Sequence, residues 1–383
     1  MKNIVICFDG TWNTVDADFP TNVVKTAQLV LPADERGVGQ VVFYDEGVGS
    51  LQVAVGNSIN SYLGGAFGVG LMDNIERAYR FLTFNYAPGD RVFVFGFSRG
   101  AFSARSFGGL IRTCGVLHKH KAGKIKDAIK LYQNRDRQAG ADAEPCVKFR
   151  NENSFASFSG SAVANTSDQA LAIEYMGLWD TVGALGIPGK FLLANAFNRR
   201  YQFHDLALSR MVRSARHAVS IDERRSTFAP TLWSNLDELN GSDPQIDPDS
   251  SAYQQVWFPG DHASVGGGGN VNGLWQAALV WVVEGARHRG LAVDTAEFGK
   301  YARDIDHRAS IYCMKTRTFT AASLACRRWR DGPRGSALSE LADVTRQRIS
   351  APAEELFERR PYRPRSLQSF VEANAQRLGV KWR

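Results

Sequence analysis

Along the first hundred residues, short apolar runs alternate with stretches of helical spacing. Asn3 to Phe8 is a continuous apolar run that stops at Asp9-Gly10-Thr11-Trp12-Asn13; Val41 to Tyr44 is a second, stopping at Asp45-Glu46-Gly47-Val48-Gly49. Asn22 to Leu31 has helical periodicity, and a glycine-rich stretch, Gly64 to Gly70, leads into a second helical segment, Asn74 to Phe84. The turn Pro88-Gly89-Asp90 then opens a third apolar run from Arg91, followed by small residues that predict a helix over Ala101 to Leu117. Continuous apolar runs of this length mark strands buried on both faces. Strand, helix, strand, helix, strand is the order of a parallel sheet with right-handed crossovers. The sheet is expected to resume at Ala172 to Trp179, Ala218 to Ile221 and Gln255 to Phe258, and the chain then reads as mostly helical, most strongly over Trp275 to Arg287. His118 to Arg137 is basic and poor in apolar residues, and the chain stays polar to Asp168, which predicts an insertion serving as a lid or surface arm.

A chain of 383 residues accommodates a catalytic-sized domain over 1–290, interrupted by an insertion at about 118–170, with a mainly helical region over 291–383 packed on it. The amino terminus, MKNIVICFDG, lacks the long apolar stretch and cleavage site of a secretory signal, and no apolar run is long enough to span a membrane. The expectation is a chain that is cytoplasmic as synthesised, a state also compatible with delivery by a dedicated secretion machine. Five scattered cysteines, Cys7, Cys114, Cys146, Cys313 and Cys326, show no paired spacing and argue against a disulfide framework or a zinc site. The formal charge of +7 is uneven: from Lys315 onward 15 Lys and Arg face 7 Asp and Glu, so the preceding 314 residues sum to about −1. That surplus suits either solvated surface helices or peripheral contact with an anionic bilayer; no nucleic-acid partner is expected.

The chemistry concentrates at Arg91 to Arg105, RVFVFGFSRGAFSAR. Gly96-Phe97-Ser98-Arg99-Gly100 sits between a buried-strand run and a helix start, the setting of a nucleophile elbow. The sharp turn needs small residues two positions either side of the serine, because larger ones collide with the neighbouring strand or helix, and Gly96 and Gly100 stand there. The alternative is a serine that merely caps the helix. In an α/β-hydrolase sheet the elbow follows the fifth strand and the oxyanion loop the third. Counting back makes Asn3 to Phe8 the third-strand equivalent, so the fold expected is an α/β-hydrolase-like, mostly parallel sheet flanked by helices and lacking the usual first two strands. The backbone N–H of Arg99 and one from Gly10 or Thr11 would then form the oxyanion hole. Asp9 is expected to brace that loop by accepting backbone N–H bonds.

A serine hydroxyl needs a histidine base and a carboxylate to orient it, in the chain order Ser, Asp or Glu, His. Of the seven histidines, His262 alone follows a late strand directly, within WFPGDHASVGGGG. Asp180, after Glu174-Tyr175-Met176-Gly177-Leu178-Trp179, best fits a strand end between Ser98 and His262. Asp222 is its rival, but Glu223, Arg224 and Arg225 follow it and suggest an ion-paired structural aspartate.

With FDGTWN, GFSRGAFSAR, GLWDTVGALG and WFPGDHASVGGG in this order, the chain resembles the type VI secretion phospholipase effector-like α/β-hydrolase family over about residues 1 to 285. The resemblance implies a serine esterase or phospholipase with its triad on Ser98, Asp180 and His262, acting on an ester or phospholipid through an acyl-enzyme. One departure stands out: the family pattern usually has an aspartate two residues after the histidine and an apolar residue before it, where this chain has Ser264 and Asp261. Asp261 is therefore a candidate support for the histidine loop. No residue after Gly290 matches the family pattern.

Two other functions fit parts of the sequence. Phe8-Asp9-Gly10-Thr11 resembles the start of an aspartate-nucleophile phosphatase, but the nucleophile's place, position 7, holds Cys7. A binding or regulatory module that keeps the hydrolase fold without turnover is the other, and an intact triad argues against it. No pattern calls for a metal or organic cofactor; Asp45, Glu46 and Asp261 are where a structural ion would find carboxylates.

Overall fold

The computed structural model describes residues 1–11, 13–47, 66–134, 140–155, 171–183, 207–225, 228–241, 251–312, 330–333, 335 and 337–382. Six strands form one sheet: β1 (Asn3–Phe8), β2 (Gln40–Asp45), β3 (Arg91–Phe97), β4 (Ile173–Trp179), β5 (Ala215–Ser220) and β6 (Tyr253–Phe258). Their order is β2-β1-β3-β4-β5-β6 and every pairing is parallel. With β1 as the third-strand equivalent and β3 as the fifth, β1 lies directly beside the elbow strand.

Alternation along the strands separates two buried layers. Val5, Cys7, Phe93, Phe95, Tyr175 and Trp179 face one side, with α1 (Asn22–Leu29) and α8 (Leu274–His288). Ile4, Ile6, Phe8, Val92, Val94, Met176 and Leu178 face the other, with α2 (Ala66–Asn85), α3 (Arg99–Cys114) and α4 (Ile125–Asn134). Both faces are covered, which is why these strands read as unbroken apolar runs. β4 keeps the alternation by a bulge: Val92 pairs with Ile173 but Phe93 with Tyr175, so Glu174 is the extra residue. The bulge brings Phe97 level with Trp179, and Ser98 and Asp180 therefore leave their strands side by side.

Several boundaries differ from the sequence expectation. The first helix ends at Leu29 rather than Leu31, because Val30 turns out to bridge Val293. α2 begins at Ala66, inside the glycine-rich stretch. The elbow helix covers Arg99–Cys114, not Ala101 to Leu117; Gly115, at φ 72°, ends it by donating to the Ile111 carbonyl.

The described part of the insertion is not a lid over the serine. α4 buries Ile125, Ala128, Ile129 and Tyr132 in the layer that holds Leu110, Ile111 and Cys114. Arg150, in α5 (Glu144–Asn153), donates to the carbonyls of Arg112, Thr113 and Ala141. Both helices thus hold the far end of α3, which at 16 residues is about 24 Å long.

Beyond 290 the chain adds α9 (Thr295–Arg303) and α10 (Asp343–Ser350) among shorter pieces. Leu341, Val344, Ile349, Leu356, Tyr362, Phe370 and Val371 join the same buried cluster as Val256, Trp257 and Phe258 of β6. Arginines that read as a surface charge surplus are partly internal: Arg348 is fully buried, bonded to Glu358 and to the carbonyls of His307 and Ala309.

Candidate active site

Ser98 occupies the turn between β3 and α3 with φ 59° and ψ −123°, a conformation costly for a residue with a Cβ. It stands at the helix N-cap, yet its side chain makes no capping hydrogen bond. The two glycines are required by close approach. A Cβ on Gly96 would lie 2.6 Å from the Gly100 carbonyl oxygen, and one on Gly100 would lie 2.2 Å from that of Phe8. Arg99 is the first residue of α3, so its backbone N–H has no acceptor within the helix.

Asp180 follows β4 at φ 38°, another positive φ on a non-glycine residue. Its Oδ2 lies 2.6 Å from Nδ1 of His262. Its Oδ1 accepts from the Ser220 amide at 2.9 Å, and Oδ2 from the Ser220 hydroxyl at 3.2 Å. The other partner is Arg330: Nη1 donates to Oδ1 at 2.6 Å and Nη2 to Oδ2 at 3.0 Å. Burial pushes this carboxyl up, but Arg330 and His262 outweigh it and hold Asp180 well below the usual carboxylate range.

His262 opens α7 (His262–Gly266), a short helix capped by Asp261, which accepts from the Ser264 amide and hydroxyl, both at 2.9 Å. The two departures from the family pattern therefore bond to each other. The imidazole lies between two rings, Phe97 at 4.6 Å and Phe228, edge-on, at 4.8 Å. Phe97 reaches it because Gly266 leaves room: a Cβ there would sit 1.9 Å from the Phe97 ring. Phe97, the residue before Ser98, thus packs on His262, and the Ser98 amide donates to the Trp179 carbonyl at 3.0 Å, next to Asp180; serine–histidine contacts often close only in the Michaelis complex.

The Gly10-Thr11 loop lies against the elbow, since a Cβ on Gly10 would be 3.3 Å from that of Ser98. The Gly10 amide donates to its neighbour Asp9 at 2.6 Å, and the Thr11 hydroxyl is buried with no partner among the described residues. Asp9 also accepts from Thr21 and Tyr44, each at 2.8 Å, and burial pushes it up to about 6 against those bonds. Asp222, by contrast, is in no ion pair among the described residues: Arg225 takes Glu223, while Asp222 accepts from the Gly260 amide at 2.7 Å and the Tyr362 hydroxyl at 2.6 Å. Arg330, Ser220 and Phe228 were invisible to motif reading, since none lies in a recognisable pattern.

Residues 2–285 match the family described as T6SS, phospholipase effector Tle1-like, catalytic domain. The chain belongs to that family. The family's phospholipase effectors make lipid-ester hydrolysis the activity its name carries, and the six-stranded parallel sheet is the α/β fold this Tle1-like domain was expected to have. An uncharacterized protein of Saccharomyces cerevisiae, YEL023C, is 31% identical over 239 residues, which are 59% of this chain and 32% of that protein. The chain therefore spans about a third of that relative's length. Among solved structures, an uncharacterized protein from Pseudomonas aeruginosa is similar at 18% identity and TM-score 0.41, covering 80% of this chain and 49% of the other. The Tle1 effector bound to the VgrG spike of the type 6 secretion system is similar at 17% identity and TM-score 0.37, covering 70% of this chain and 51% of that one. Among the described residues no helix of this Tle1-like domain is long and apolar enough to cross a membrane, and no group of three His, Cys, Asp or Glu side chains could hold a metal ion.

Proposed function

We propose that the chain is a serine hydrolase of carboxylic esters, of phospholipase type, working through Ser98, His262 and Asp180. The observation that carries this reading is the 2.6 Å bond between Asp180 and His262 beside a serine held at φ 59°. Ser98 Oγ attacks the ester carbonyl as His262 takes its proton through the ring nitrogen turned away from Asp180. The tetrahedral intermediate expels the alcohol, to which His262 returns the proton, leaving an acyl group on Ser98. Water, deprotonated by His262, then releases the acid and regenerates the serine.

The oxyanion is assigned to the Arg99 amide and to Thr11, because the Gly10 amide already serves Asp9. Asp9 keeps the loop in place, and Asp261 caps the short helix that presents His262. The substrate class follows from the family, a glycerophospholipid or related ester, with delivery by a secretion machine as the corresponding context. A panel of phospholipids and short esters, read by mass spectrometry for native chain and Ser98→Ala, tests catalysis and substrate together. Lipid products formed by the native chain and absent from a folded Ser98→Ala are expected. Equal turnover by the two would end this reading.

A further inference from the structure

We propose that Arg330 is a positioning residue for this reaction: it fixes the plane of the Asp180 carboxylate and limits how strongly that carboxylate favours a protonated His262. The inference rests on the Ser98, Asp180, His262 reading.

The geometry is that of a fork closing on a carboxylate. Two guanidinium nitrogens meet the two Asp180 oxygens at 2.6 and 3.0 Å, with the Arg330 side chain 3% and the Asp180 side chain 0% exposed. A carboxylate held at both oxygens cannot turn about its last bond, and Arg suits this because its donors are rigid and coplanar. Oδ2 is thereby aimed at Nδ1 of His262. The same guanidinium donates to the Ser220 carbonyl at 3.1 Å and hydroxyl at 2.8 Å, and to the Phe228 carbonyl. One side chain therefore joins the end of β4, the end of β5 and the segment whose ring meets His262 edge-on.

Charge gives the second consequence. A triad carboxylate stabilises the imidazolium, but here a permanent cation shares that carboxylate, so the stabilisation is reduced. Among the described residues, the other charged or titratable groups around the pair have partners or directions of their own. Glu223, whose carboxylate faces the His262 amide at 3.4 Å, is paired with Arg225. Asp261 bonds Ser264, and His217, in β5, is pushed down to about 4 by burial, then by Arg105. Among the described residues Arg330 is the Arg or Lys in contact with Asp180 itself. It lies beyond residue 285, so a part of the chain outside the family match touches the site's carboxylate.

Arg330→Gln and Arg330→Lys in the full chain separate charge from shape. The measurement is the pH profile of kcat/KM on a short p-nitrophenyl ester, with kcat and KM resolved and the fold checked by circular dichroism. Arg330→Gln is expected to lower kcat by about 10²-fold with KM little changed, and to move the acid limb up by about one pH unit as the imidazolium becomes easier to form. Arg330→Lys keeps the charge, so its acid limb stays in place while kcat is only partly recovered. A folded Arg330→Gln with a lower rate and an unmoved limb would make Arg330 merely structural and overturn the proposal. So would a Lys variant no better than Gln. Should the Gln variant fail to fold, Arg330→Lys decides alone: reduced kcat at an unmoved limb supports the role, native kcat overturns it. Fluorophosphonate labelling of the native chain keeps the two failures apart. No adduct on Ser98 removes the reading of the site, whereas a native adduct with Arg330 variants at native rate and pH profile removes only the role of Arg330.

Discussion

The ends of β4 and β5 each carry a buried aspartate, Asp180 at 0% and Asp222 at 2% exposure, yet their surroundings shift them in opposite directions. Asp180 faces a guanidinium and an imidazole and is held well below the usual carboxylate range. Asp222 faces a peptide amide and a phenol, and burial pushes it up to about 6 despite those bonds and Arg348. Asp180 also sits at φ 38°, a strain that Asp222 does not carry. Equal burial thus yields a carboxylate that stays ionised far into acid at one strand end and a hydrogen-bond hub that takes up a proton near pH 6 at the other; the charge of the partners decides. Only the anion can orient and stabilise a protonated histidine.

The largest test of this contrast is Asp180→Asn. Removing the charge leaves Arg330 buried without its counter-ion, expected to cost about 3–5 kcal/mol in stability. Hydrolysis is expected to fall by roughly 10⁴-fold because His262 loses its orienting anion. Denaturant melts and ester kinetics read the two effects. Asp222→Asn is expected to leave kcat within about twofold of native and to act through pH instead.

The sign of that pH effect follows from linkage. The Asp222 carboxyl has its pKa raised in the fold, from 3.8 to about 6, so the native state holds the proton more tightly. Its contribution is fully present below about pH 4 and is lost as pH rises through about 6, a change on the order of 2–3 kcal/mol. Asp180 has the reverse sign: its contribution is present above its ordinary value and is lost as pH falls. Unfolding free energies at pH 4 and pH 7 should therefore fall less with rising pH in Asp222→Asn than in the native chain. The smallest effect is expected from Tyr362→Phe, about 1–3 kcal/mol from the lost bond to Asp222, with the ester kinetics unchanged. A Tyr362→Phe variant with a large kcat defect would show that the two strand ends are not independent.

What the sequence disclosed follows the same physics. β1 was legible to the residue because both its faces are buried and nothing polar interrupts it. β5 was read short, since its Ala215-Arg216-His217 start is polar, with Arg216 bonding a carbonyl and His217 buried against Gln255. Ser98, Asp180 and His262, the proposed triad, were singled out through local signals, glycine spacing and strand ends, together with a rule of chain order. Asp222 was misread as ion-paired because Arg225, near it in sequence, turned out to pair with Glu223 and not with the aspartate. Arg330 had no local signal at all. It sits 150 residues from Asp180, in a basic stretch that reads as surface, and only the folded chain brings it to the carboxylate.

The most direct measurement of the central claim is intact-protein mass spectrometry after treatment with a fluorophosphonate probe, with the adduct mapped by peptide sequencing. An activated serine beside His262 predicts a single adduct on Ser98 that is absent from Ser98→Ala and forms far more slowly in Asp180→Asn. A native chain that stays unlabelled, or that carries its adduct on another residue, contradicts the account.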